Sequence, residues 1–279
     1  MKVLPFQIPK PENSALIVQE DIEFEFYNKL HQHDEIQISY VVKGEGTILV
    51  GDTINNFNTG DLIVLGNNLP HVFKSIENRK EKSHMITLFF TKQSFGNHFF
   101  DLKELSESSS FFNQAKHGFK ISKTKKEIVL LFDKIKKASK LERFILFLEL
   151  LLQLTKTSSK SLSSFIYEKK YTQIEGKRMR AIFDYTLKNY SDPISLDNIA
   201  DVASMTKNAF CKYFKKRTNK TYFRFLNEIR IAHACKIIAQ EKETTLAEIS
   251  FVCGFRNVSN FNRQFKAIKN CSPSYYRKK

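Results

Sequence analysis

The chain reads as an α+β protein: an N-terminal antiparallel β-barrel with a helical segment, then an all-α domain of two helix-turn-helix units joined by a linker helix. Three observations lead there. First, residues 178–277 write one passage twice. Leu196, Ile199, Ala200, Ser204 and Met205 reappear 50 positions on as Leu246, Ile249, Ser250, Gly254 and Phe255. Phe210, Phe214, Lys215, Asn219 and Thr221 return 51 positions on as Phe261, Phe265, Lys266, Asn270 and Ser272. A repeat this long means two copies of one supersecondary element. Second, residues 22–90 are short apolar runs broken by Gly and Asn, the pattern of many short strands. Third, residues 177–279 hold 21 Lys and Arg against 8 Asp and Glu, whereas residues 1–176 hold 24 against 21, so most of the net +16 lies at one end.

Taken in order, residues 1–20 carry Pro5, Pro9 and Pro11 and read as an arm without regular structure. Strands are expected over 23–27, 35–42, 46–50, 61–65 and 84–90. His31 and His33 are two apart, so on a strand they share a face, and His71 follows Pro70. Alternation places Ile36, Ile38, Tyr40 and Val42 on the parity opposite to His33 and Gln37. If the apolar side fills the barrel, the histidines point away from it. His31, His33, Gln37 and His71 therefore read as a polar rim or small-molecule pocket, with purely structural hydrogen-bonding histidines as the alternative. No metal is expected, because Gln37 is a poor ligand.

Residues 101–122, rich in serine, read as a mobile connection with a short helix near Phe111. Residues 123–155 read as two helices meeting near Lys140. The first carries Ile128, Leu131, Phe132 and Ile135; the second carries Phe144, Leu148, Leu151 and Leu152, widened by Ile145, Phe147 and Leu150. A helix so broadly apolar needs a partner on more than one side. Phe144, Ile145, Leu148, Leu151 and Leu152 are therefore the expected homodimer interface, with burial inside one chain as the alternative. Residues 157–176 have linker composition. The expected division is 1–122, 123–156, 157–176 and 177–279.

In the repeat, Ser195 is placed as an N-cap, and Thr245 with Glu248 as a capping box. Gly254 suits a positive φ at the turn, and Asn219 and Asn270 suit left-handed C-caps. Between the copies, Tyr222–Gln240 keeps Phe225, Leu226, Ile229, Ala232 and Ile237 at helical spacing. A helix that long, about 28 Å at ~1.5 Å per residue, would hold two recognition helices roughly one DNA turn, about 34 Å, apart. In the first recognition helix Phe210, Tyr213 and Phe214 face inward, leaving Lys207, Asn208, Cys211 and Lys212 outward. In the second, Phe261 and Phe265 face inward and Asn257, Ser259, Asn260 and Arg263 outward. Lys215, Lys216, Lys220, Arg256, Lys266 and Lys269 are the expected phosphate contacts, which position without specifying. Arg230, in a mostly apolar helix, reads as a structural ion-pair partner.

The run from Ile249 to Arg277, ISFVCGFRNVSNFNRQFKAIKNCSPSYYR, closely resembles the signature of the AraC/XylS family of bacterial transcription regulators. The first copy, with Arg230 and Ala234 of the linker helix, agrees with it. Ser250 stands where that family usually has Ala, and Asn219 and Asn270 where it usually has Gly. The order His31-x-His33, Gly44, Gly60-Asp61 and Pro70-His71 resembles the cupin-like sensor domain that often precedes such a module. The resemblance implies that Asn208, Cys211, Lys212, Ser259, Asn260 and Arg263 meet base edges; Arg263 suits guanine and Asn suits adenine. It also implies a dimeric, sequence-specific DNA-binding regulator, an activator acting with RNA polymerase and controlled by a small-molecule effector.

Other classes find little support. No stretch reaches membrane-spanning length, and the start lacks a signal-peptide core, so a cytoplasmic protein is expected. Cys211, Cys235, Cys253 and Cys271 lack zinc or disulfide spacing. No Ser-His-Asp set, P-loop or dinucleotide fingerprint occurs, so neither an enzyme nor a cofactor is expected. Two alternatives stay open: a metal-dependent cupin enzyme fused to a DNA-binding tail, and an effector-independent repressor or architectural DNA binder.

Overall fold

The computed structural model describes residues 14–75, 81–167, 170–241 and 243–278. Most of the expected arm, residues 1–13, lies outside the described residues. Backbone proximity divides the chain into Met1–Gly51 with Asn55–Gly176, and Asp52–Ile54 with Lys177–Lys279.

The N-terminal part of the chain contains strands β1 (Ile17–Glu23), β2 (Ile36–Lys43), β3 (Gly46–Val50), β4 (Thr53–Phe57, whose first two residues fall to the second unit), β5 (Leu62–Leu65), β6 (His71–Ser75), β7 (Ser83–Phe90), β8 (Phe119–Ile121) and β9 (Lys160–Ser161), and helices α1 (Ser109–Ala115), α2 (Lys126–Lys137) and α3 (Lys140–Thr155). One sheet runs β1-β7-β2-β5-β8-β9 and the other β4-β3-β6. In β2, Ile36, Ile38 and Tyr40 point to one side. There, with Leu62, Val64, Ile86 and Leu88, they meet Ile128, Phe132, Phe147 and Leu150 of the helices. Gln37 and Ser39 take the other face, where Ser39 lies opposite Thr87 and shares a 2.9 Å hydroxyl hydrogen bond with it. Both faces of this strand are buried, because the helices cover one of them. The histidine parity therefore points inward after all: the apolar side of β2 packs on helices, not into the space between the sheets.

Several expected elements change. The strand expected over 23–27 ends at Glu23: β1 begins in the expected arm and stops there, and Phe24 and Phe26 join no ladder. Strands β4 and β6 were not anticipated. Within 101–122 the short helix expected near Phe111 is α1, whose Phe111 and Phe112 are buried; 3-10 turns lead into it, and β8, which was not expected, extends the large sheet. The expected linker 157–176 contributes β9, buries Leu162, Tyr167 and Tyr171, and holds the start of the next helix. Helices α2 and α3 stand as expected, α3 beginning at a Ser139/Glu142 capping box.

The second unit contains α4 (Gln173–Asn189), α5 (Leu196–Val202), α6 (Lys207–Thr218), α7 (Tyr222–Gln240), α8 (Leu246–Val252), α9 (Val258–Lys269) and α10 (Pro273–Lys278). The sequence repeat is a backbone repeat. Met205 N donates to Ala200 O at 3.0 Å as Phe255 N does to Ser250 O; Ser204 N donates to Asp201 O at 2.8 Å as Gly254 N does to Phe251 O. Asn219 and Asn270, at φ 54° and 57°, close α6 and α9 as left-handed caps, each donating to a carbonyl four residues back at 2.9 Å. No helix among the described residues is long and apolar enough to cross a membrane.

Candidate nucleic-acid interface and effector site

Helix α6 starts at Thr206, whose hydroxyl accepts from Ala209 N, and buries Phe210 and Phe214. Those rings meet Tyr222 and Phe225 at the start of α7 (5.5 and 5.6 Å between centroids), so the inner stripe is set by packing. Helix α9 buries Phe261 and Phe265 against Phe255 and Tyr276 in the same way. What remains outward is set by helical periodicity. Lys207, Asn208, Cys211 and Lys212 are exposed on α6; Asn257, Ser259 and Arg263 are exposed at the start of α9, and Asn260 is half-buried.

These side chains are not equally at liberty. Asn257 is the N-cap of α9, its Oδ1 accepting from Asn260 N at 2.8 Å, and Asn260 Oδ1 accepts from Arg263 Nη2 at 3.0 Å. Each amide oxygen already accepts one bond, so a bidentate pairing with adenine would have to use its second lone pair together with the amide nitrogen. The same bond holds Arg263 alongside α9. On α6, Lys207 pairs with Asp197 of α5 at 2.7 Å; both side chains are exposed, so the pair is weak.

Lys215, Lys216, Arg256, Lys266 and Lys269 are exposed. Lys220 is not: its side chain is 8% exposed and its ammonium is 2.7 Å from the Glu228 carboxylate. The expectation that it meets phosphate is corrected. Arg230 holds structure, but with no ion pair among the described residues: it donates to the carbonyls of Tyr190 (2.8 Å) and Asp192 (3.0 Å), and lies 5.7 Å from the Phe255 ring. A Cβ on Gly254, at φ 84°, would come within 2.7 Å of the Tyr190 and Ser191 carbonyl oxygens. The turn of the second unit and the linker helix thus seat on the same three residues after α4. Sequence reasoning missed this seat, since backbone acceptors leave no mark in residue types.

In the first unit, His31 and His71 form an isolated antiparallel bridge, each amide donating to the other's carbonyl at 3.0 and 2.9 Å. Directly opposed residues share a face, and His33 joins them two residues on. All three are buried. Gln37 Oε1 lies 3.0 Å from His33 Nε2, while Gln37 Nε2 donates to Ser39 Oγ at 2.8 Å. The four residues named from sequence are thus one cluster. Nearby, Phe26, Phe57 and Phe73 make ring contacts of 5.4–6.1 Å.

On α3, the five expected interface residues divide. Leu151 is 3% exposed, and the Phe144 ring lies 4.8 Å from that of Phe95, tilted by 35°. Leu151 is corrected to intramolecular core; Phe144 is partly buried against it. Ile145 (57% exposed) and Leu152 (41%) face outward, joined by Leu141 (70%), which sequence reading passed over. Leu148 is half-buried between them.

Two family models match the chain: a helix-turn-helix domain over residues 199–279 and an AraC-like ligand binding domain over residues 13–88. The HTH-type transcriptional regulator YdeC of Bacillus subtilis strain 168 is 25% identical over 262 residues, covering 90% of this chain and 87% of its own. The HTH-type transcriptional activator RhaR of Mannheimia succiniciproducens is 20% identical over 253 residues, covering 89% and 86%. Among solved structures, ToxT from Vibrio cholerae O395 aligns with 94% of this chain and 97% of its own, at 14% identity and a TM-score of 0.37. A ligand-binding domain joined to a helix-turn-helix domain defines an effector-controlled, DNA-binding transcription regulator. The chain belongs to the AraC/XylS family of these regulators.

Proposed function

We propose that the chain is a cytoplasmic, non-enzymatic activator whose two recognition helices enter adjacent major grooves of one operator half-site. The carrying observation is the repeated turn geometry. The same three turn and cap hydrogen bonds set α6 and α9 on their units, so both present the same face outward. On that face Asn208, Cys211 and Lys212, and Ser259 and Arg263, are assigned to base edges. Lys215, Lys216, Arg256, Lys266 and Lys269 are assigned to phosphates. The test is selection of bound sequences from random DNA followed by two substitutions. Arg263→Ala should relax preference at one base position and cost about 1–3 kcal/mol, while Lys266→Ala should weaken all sequences alike and flatten the salt dependence. Equal behaviour of the two would refute the assignment.

Dimerisation is assigned to α3. Leu141, Ile145, Leu148 and Leu152 follow spacings of four, three and four, a heptad seam on an exposed face. A second copy lying along it would double the half-sites, leave the first unit to transmit effector binding, and present the complex to RNA polymerase. Ile145→Glu should shift the protein to monomer in sedimentation and leave its unfolding midpoint nearly unchanged; a dimer that persists would move the interface elsewhere.

A further inference from the structure

We propose that Asn260 is a positioning residue for Arg263: it holds the guanidinium of the second recognition helix in reading position and so sets how strictly one base pair is specified. The inference rests on the reading of Arg263 as a base contact, and it changes the part that family resemblance gives Asn260. The two residues are three apart on α9, so they stand on one face, a turn from each other. Asn260 Oδ1 accepts from Arg263 Nη2 at 3.0 Å. A guanidinium can only donate, so the amide turns its oxygen and not its nitrogen toward it, which settles how the Asn260 side chain is oriented. Asn260 is half-buried at the start of the helix, whereas Arg263 is exposed. The short side chain is thus the anchor, and the long one is the tip that reaches outward.

The anchor is itself held. Asn257 Oδ1 caps α9 by accepting from the Asn260 main-chain amide at 2.8 Å, so residue 260 is fixed through its backbone and fixes Arg263 through its side chain. Guanine offers the acceptors O6 and N7 in the major groove, and a guanidinium that spends one N–H on Asn260 keeps enough donors for both. An arginine with no partner carries rotamer freedom that binding must freeze; a bond already made in the free protein removes part of that cost. The first unit lacks this device. Counted 51 positions back, Asn260 and Arg263 correspond to Ala209 and Lys212. Alanine offers no side-chain acceptor, and an ammonium is a point charge without a fork. A held fork on α9 therefore stands where α6 has a point charge that its neighbour cannot aim.

The test uses the full chain on the sequence it selects from random DNA and on every single-base variant of that sequence. Arg263→Ala identifies the base position that Arg263 reads. Asn260→Ala should lower preference at that same position by about 3–10-fold and leave preference elsewhere unchanged. Its thermal midpoint should be no lower, because the cap bond uses the main-chain amide, which alanine keeps. Asn260→Asp retains the acceptor and should retain the preference. Adding Asn260→Ala to Arg263→Ala should cost no further preference at any position, the non-additivity of two residues that act as one. Loss of preference at a different base position overturns the proposal, since Asn260 would then be a reader itself. Equal weakening of all sequences with a lowered midpoint, the mark of a merely structural role, overturns it too. Unchanged preference in Asn260→Ala overturns it while leaving Arg263 as a base contact. If Arg263→Ala relaxes no position, the reading beneath the proposal falls.

Discussion

The two helix-turn-helix units share a backbone pattern but are not equally held. At the first turn Ser204 occupies a left-handed conformation, φ 53°, where the second has Gly254 at φ 84°. The serine is exposed, while the glycine sits against the carbonyls of Tyr190 and Ser191. One conformation is thus used twice, once strained but roomy and once relaxed but crowded. Duplication preserved the hydrogen bonds and let the surroundings diverge, so equivalent positions should respond oppositely to substitution.

The largest expected difference lies there. Gly254→Ala puts a Cβ 2.7 Å from two backbone oxygens that cannot rotate away and adds left-handed strain. Together these should cost about 2–4 kcal/mol in denaturant unfolding. Ser204→Gly removes strain at an open site and should leave stability unchanged or raise it by about 0.5–1 kcal/mol. If both destabilise alike, the contrast between the turns is wrong.

The seat of the second turn also carries an acid-sensitive group. His233 of α7 stacks on Tyr190 at 4.2 Å between centroids, its Nδ1 lying 3.1 Å from the tyrosine hydroxyl. Burial, with a smaller contribution from the Lys236 charge, lowers its pKa to about 4 from an ordinary 6.5. Between those values the unfolded chain binds more protons than the folded one. This contribution to stability is therefore whole above pH 6.5 and is lost as pH falls toward 4. Because the ring is only partly buried, the loss should be on the order of 2 kcal/mol. His233→Gln should flatten that part of the stability-against-pH curve; an unchanged slope would place the acid sensitivity elsewhere.

The units also differ in how much the sequence disclosed. The caps at Asn219 and Asn270, the Thr245/Glu248 box, the inner phenylalanines and the span of α7 were all legible, because local side chains specify them. The seat on Tyr190 was not, since its acceptors are main-chain carbonyls 40 residues from Arg230 in sequence. In the first unit the same limit acts more strongly. Among the described residues strand β1 pairs with β7 alone and is half exposed, so it shows no clean alternation. Phe24 and Phe26 alternate well yet join no ladder. The parity of Gln37 was read correctly, but which face counts as interior depends on α2 and α3, far along the chain.

The smallest expected effect separates folding from DNA recognition at one atom. Asn257 caps α9 through Oδ1, where Thr206 caps α6 through a hydroxyl. Asn257→Asp keeps the acceptor and adds a negative charge at the positive end of the helix dipole, which should stabilise the second unit by about 0.3–1 kcal/mol. That charge would also sit at the edge of the face assigned to DNA, where phosphate repels it, so operator affinity should fall while thermal stability rises. Opposite movement of the two measurements places Asn257 at the nucleic-acid surface. If both rise, α9 does not face DNA at this end, and the two units differ in their contacts as well as in their packing.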